Sequence, residues 1–106
     1  MYTRVCRADQ LRDGDMAAFF LDDHEVLVVR DARGSLHAMD GLCPHEDTPL
    51  VDGDFDGTVL TCLAHLWSFD ATTGSGINPP TCRLTRYALK VTDNDVYVDP
   101  EGECSP

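Results

Sequence analysis

A chain of 106 residues, 42% of them hydrophobic, has the material for one modest core, and residues 1–106 are expected to form a single domain. A formal charge of -11 excludes phosphate-backbone binding, which needs Lys and Arg to displace counterions, so no nucleic-acid partner is expected. Residues 1–7 are polar and the longest apolar stretch, 16–21, is far shorter than a bilayer crossing, so we expect no leader, no membrane contact and a cytoplasmic location.

In chain order, short β-type runs alternate with Gly, Asp, Asn and Pro punctuation. A strand is predicted over 2–6, then one helical turn near 8–11 that Asp9 could cap. Strands over 16–21, 25–31 and 36–39 follow, joined by hairpin turns at Asp22-Asp23 and Asp31-Ala32-Arg33-Gly34. Residues 41–52 form strands poorly. Runs at 58–61 and 66–70 lead into a second poor strand former, 71–83, which holds Gly74, Gly76, Asn78, Pro79 and Pro80. Strands over 86–91 and 96–99 flank a turn at 92–95, and the tail after Pro100 is expected to be loosely ordered. With no long segment of helical period, the fold class is all-β.

Charge is unevenly spread. Between Arg33 and Arg83 there is no Lys or Arg, while Asp40, Glu46, Asp47, Asp52, Asp54, Asp56 and Asp70 all fall there. Such a surface suits a partner with basic patches.

Five cysteines leave at least one unpaired, which argues against a disulfide framework and for metal binding. The chemistry lies in Cys43-Pro44-His45, followed after a 16-residue gap (46–61) by Cys62-Leu63-Ala64-His65. Each half offers one soft and one borderline ligand, and together they make a four-ligand site. Zinc accepts two Cys and two His, which leaves a zinc-stabilised interaction module as an alternative, but zinc modules usually pair Cys with Cys and His with His. A 2Fe-2S centre with two Cys on one iron and two His on the other uses the segregation seen here directly.

These residues resemble the motif of the Rieske proteins, C-x-H and C-x-x-H separated by about this length. The resemblance implies one 2Fe-2S cluster, with Cys43 and Cys62 on the inner iron and His45 and His65 on the outer one. It implies stacked antiparallel sheets with a small cluster-binding subdomain over about 41–84, and makes Asn78-Pro79-Pro80 similar to the family's proline loop. Residues 62–69 and 74–79 most resemble the ferredoxins of bacterial toluene, aromatic or alkene multicomponent monooxygenases, in which an NADH-dependent flavin reductase supplies electrons and a diiron hydroxylase receives them. Ferredoxins of ring-hydroxylating dioxygenases are the alternative; Gly is more usual there soon after the second His, and Leu66-Trp67 departs from that pattern. Hydroxyl donors and the extra cysteine pair of high-potential members are missing, so the potential is expected near the low end of about -150 to +300 mV.

No nucleophile–base pair and no phosphate-cradling glycine loop is present, so the chain is expected to be an electron carrier without a catalytic site. The size and the need for a free tip suggest a monomer. Among the remaining residues, Trp67 divides between core plug and contact with cluster or partner, whereas Phe69 is expected in the core. Cys6 reads as a buried hydrophobe, Cys82 as a non-ligand packed near the cluster, Cys104 as a tail thiol, and His24 and His37 as surface residues.

Overall fold

The computed structural model describes residues 2–21, 24–44, 48–63 and 66–103, with residues 101–103 described by backbone alone. Among the described residues ten strands make two antiparallel sheets: β1 (Thr3–Arg7), β2 (Met16–Leu21), β3 (His24–Arg30), β4 (Leu36–Asp40), β5 (Asp54–Phe55), β6 (Val59–Thr61), β7 (Ser68–Asp70), β8 (Gly76–Asn78), β9 (Arg86–Thr92) and β10 (Asp95–Glu103). The six-stranded sheet runs β1-β10-β9-β4-β3-β2 and the four-stranded sheet β5-β6-β7-β8. All-β with stacked antiparallel sheets is the expected class.

The apolar run of β3 explains the layering. Val26, Leu27, Val28 and Val29 are all fully buried, so β3 is covered on both faces. Val26 and Val28 join Cys6, Leu11, Ala38, Val96 and Val98 in a core enclosed by the large sheet, whose edge strands β1 and β2 come into contact. Leu27 and Val29, with Met39 and Leu84, point the other way and meet Leu60 and Phe69 of the small sheet and Ala71 just beyond β7. Full burial of Phe69 alone contributes about 2–3 kcal/mol. The sheets are also tied by backbone: Ala32 N–H donates to Gly57 O at 2.9 Å.

The predicted hairpins from 31 and 92 form as expected. Asp93 (φ 51°) and Asn94 (φ 67°) both take the left-handed conformation that a two-residue primed turn demands, and short polar side chains tolerate it best. The Asp22-Asp23 turn lies outside the described residues. Three expectations are corrected. The helical turn, a 3-10 helix over Ala8–Gln10, is closed by the Gln10 side chain, whose Oε1 accepts from Arg7 N–H at 2.7 Å, while Asp9 instead takes the Arg7 guanidinium at 2.8 Å. The 66–70 run is shorter, Ser68–Asp70, because Leu66 turns with a φ of 56°. Pro100 does not end the last strand: a register shift between Asp99 and Glu103 lets β10 continue, with Glu103 opposite Tyr87, since a bulge accommodates a residue without an N–H. The two-residue β5 and three-residue β8 carry too little pattern to be predicted.

His37 is the fourth correction: it is largely withdrawn from solvent, its side chain 12% exposed, rather than a surface residue. Its Nε2 lies 2.8 Å from Asp31 Oδ2 and its Nδ1 3.3 Å from Arg86 Nη2. A guanidinium can only donate, so Nδ1 accepts, the proton sits on Nε2, and Asp31 accepts it. Burial would raise the Asp31 carboxyl, but the His37 bond and the backbone N–H groups of Ser35 and Arg33 outweigh it and hold it below its ordinary value. A lowered folded-state pKa stabilises the fold above the unfolded value of about 3.9, and that contribution is lost as pH falls through the folded value. Asp31→Asn keeps the backbone contacts through its amide oxygen but presents N–H groups to Nε2. The histidine must then carry its proton on Nδ1, against a second donor on Arg86. We expect a loss of about 3 kcal/mol in urea unfolding at pH 7, with a shallower loss of stability between pH 5 and 2 than the parent shows.

Candidate metal centre

Two hairpins of the same design carry the motif. Beyond β4, Asp40 Oδ1 accepts from Leu42 N–H at 3.0 Å, turning the chain out of the sheet, and the stem is then zipped by Leu50 N–H to Gly41 O at 2.8 Å and by the Leu42–Pro49 bridge. Its last rung is Cys43 N–H to Thr48 O at 2.9 Å. In the second hairpin β6 and β7 are the stem, Thr61 pairs with Ser68, and the last rung is Cys62 N–H to Trp67 O at 2.6 Å. Each cysteine therefore ends a rising limb, its N–H bonded to the carbonyl five residues on.

Gly41 permits the first stem, because a Cβ there would lie 2.8 Å from Glu25 Cγ and 2.9 Å from Glu25 O. At the second tip Leu66 adopts the left-handed conformation usually left to Gly or Asn, at a cost of about 1–2 kcal/mol.

Cys43 and Cys62 are both fully buried and belong to one core cluster with Leu50, Leu60 and Phe69. None of the described cysteines is in a disulfide. The pair fits the iron–sulfur centre that the motif implies: soft sulfur donors withdrawn from water, where thiolates are tolerable only if bound to a cationic centre. His45 and His65, with Glu46 and Asp47, lie outside the described residues, so of the four predicted ligands the structure places the two cysteines.

Cys82 approaches the same end but is occupied otherwise. Burial, and also the Cys43 sulfur nearby, push its thiol above its ordinary value, and Sγ donates to Pro79 O at 3.0 Å. It sits in a third loop, after the cis Asn78–Pro79 peptide, held by Gly76 N–H to Cys82 O at 2.9 Å. Cys6 is buried in the other core, and burial raises its thiol as well. Phe69 is core as expected. Trp67 is partly buried against the same cluster, which favours the plug reading. His24 is exposed; Cys104 lies outside the described residues. Sequence reasoning missed Leu66, whose backbone angle leaves no sequence signature, and Gly76, whose place beside the proline loop could have flagged it. Among the described residues no helix is long and apolar enough to cross a membrane.

Similarity to known proteins bears on the centre that this geometry builds. The Rieske [2Fe-2S] domain description matches residues 1–88. The ferredoxin component of the alkene monooxygenase system of Xanthobacter autotrophicus is 44% identical over 102 residues, covering 94% of this chain and 82% of that protein. The ferredoxin component of biphenyl 2,3-dioxygenase from Rhodococcus jostii is 31% identical, covering 94% of each. In three dimensions a chain from the complex of reduced oxygenase and oxidised ferredoxin in carbazole 1,9a-dioxygenase superposes with a TM-score of 0.87 at 25% identity, covering 98% of this chain and 97% of its own.

Proposed function

The chain belongs to the Rieske [2Fe-2S] domain family, and on that premise we propose that it is the ferredoxin component of a multicomponent oxygenase, holding its cluster on Cys43, His45, Cys62 and His65. Family membership sets aside the zinc module, because the cofactor is a 2Fe-2S cluster. When bound, the cluster supplies storage for one electron at a time. The observation that carries the reading is the pair of fully buried cysteines at matched positions on two hairpins with one design.

The protein's own part is to bury and position. Leu50, Leu60 and Phe69 pack in one core with the two cysteines, and in this reading electrons pass through His45 and His65, which the family motif assigns to the outer iron. Residues 41–84 would act as the cluster-binding unit on a supporting six-stranded sheet. The carrier is cytoplasmic and monomeric in this reading, and docks in turn with an NADH-dependent flavin reductase and an oxygenase, with no catalytic site of its own.

For the oxygenase we favour a diiron hydroxylase. The support is the 44% identity with the alkene monooxygenase ferredoxin across nearly the whole chain, together with Leu66-Trp67 where dioxygenase ferredoxins more usually carry Gly. The dioxygenase reading is kept alive by the biphenyl dioxygenase relative and the carbazole dioxygenase neighbour.

Purified protein should be brown, with about two irons and two acid-labile sulfides, and after dithionite should give an EPR signal of low average g. Reconstitution with a reductase and, in separate vessels, a diiron and a mononuclear-iron oxygenase should give substrate-coupled NADH oxidation in the diiron vessel. Turnover confined to the other vessel would exchange the two readings, and a colourless protein would end both.

A further inference from the structure

The large hydrophobic residues left exposed are unevenly placed. Among the described residues they are Tyr2, Phe20, Leu63, Leu66, Ile77 and Val91. Leu63 (66% exposed) and Leu66 (64%) flank the second motif hairpin's tip. Ile77 (48%) lies on β8 beside Asn78, the residue paired with Ser68 where that hairpin returns to the sheet. Three of them therefore cluster at the end of the small sheet from which electrons must leave.

Leu66 is the unusual member. Its backbone is left-handed at a φ of 56°, an arrangement a leucine resists and Gly or Asn accept. Folding offers little in return, since most of the side chain stays in water. A strained residue whose side chain is not used by the core points to use by something else. Charge narrows down what that is: the chain from Arg33 to Arg83 has no intervening cation, and Asp54 pairs with Thr61 at the tip end of β6.

We infer that Leu66, with Leu63 and Ile77 beside it, is the anchor of an apolar crest that docks the oxygenase, and that the partner presents an apolar depression rimmed by Lys and Arg. The inference rests on the carrier reading above and adds to it the residue on which docking to the oxygenase turns. The oxygenase is the occupant because a chain of this fold is known in complex with one. The anchor fills the depression and excludes water, while the unbalanced negative charge speeds and orients the encounter.

The test uses holo protein, the purified oxygenase of an alkene monooxygenase system as probe, and dithionite-reduced carrier in single-turnover and steady-state assays. Leu66→Asn keeps a residue that tolerates the left-handed backbone, adds no charge and removes the apolar surface. We expect its visible and EPR spectra and its midpoint potential to match the parent. Its KM as electron donor should rise about tenfold or more, with kcat at saturation retained. Leu63→Ser, whose backbone is not left-handed, should shift KM in the same direction and serves if Leu66→Asn fails to fold. Phe20→Ser, removing an exposed aromatic on β2, should leave KM within about twofold. An unchanged KM in both crest variants, or an equal rise in Phe20→Ser, overturns the crest while leaving the carrier reading intact. A parent protein that reduces neither this oxygenase nor a mononuclear-iron one overturns both together.

Discussion

Replacing Cys62 with Ser is expected to yield a protein with no visible chromophore and no electron-carrying capacity, and Cys43→Ser should do the same. Both sulfurs are fully buried, so a serine in either place leaves a hydroxyl in an apolar core whose desolvation only a partner could offset. A serine hydroxyl does not ionise near neutral pH and is a harder donor than thiolate, so it cannot take over iron ligation there. Iron and acid-labile sulfide should both fall to background, and thermal unfolding should shift down because a cofactor that binds only the folded state no longer contributes. Cys82→Ser is the matched comparison. It lies beside the same site, but its sulfur already donates to Pro79 O, a bond that serine can also make; it should keep its full iron content. Equal iron loss in Cys82→Ser and Cys62→Ser would remove the proposed ligand set, whereas loss in the motif cysteines alone would support it.

How much of this was legible beforehand follows from how local each feature is. The C-x-H and C-x-x-H spacing is a local pattern, and it identified both buried cysteines and the family. Strand β2 was read at its true bounds because its ends are marked by Asp15 and Asp22, and β3 and β4 came within a residue because apolar runs end at polar turns. What escaped were features set by distant neighbours. His37 looks like any turn-side histidine until Asp31 and Arg86, the latter 49 positions away in sequence, are brought against its two ring nitrogens. Strand β8 exists only because β7 offers it a ladder, and β10 outruns Pro100 only because β9 remains beside it. The exposure of Leu66 was unreadable for the same reason: its backbone angle is imposed by closing the hairpin between Cys62 and Trp67.

Gly76→Ala should be a strongly damaging single-methyl addition beside the proline loop. A Cβ there would sit 2.3 Å from Cys82 O, 2.6 Å from Pro79 O and 2.7 Å from Cys82 Sγ. Two of these are backbone atoms of one short loop, so no side-chain rotation relieves the clash, and the loop over 79–82 must lift. Lifting it breaks the Gly76 N–H to Cys82 O bond and withdraws Cys82 from the core that surrounds the motif sulfurs. We expect a loss of about 3 kcal/mol in denaturant unfolding of the holo protein, and faster bleaching of the cluster in air than in the parent, since water then reaches the site from a third side. Gly14→Ala separates this from ordinary glycine strain. Gly14 has a φ of 87°, but nothing lies within 4 Å of the added methyl, so only the backbone penalty of about 1–2 kcal/mol applies and bleaching should be unchanged. If Gly76→Ala proves no less stable than Gly14→Ala and bleaches at the parent's rate, the loop over 79–82 does not guard the cluster.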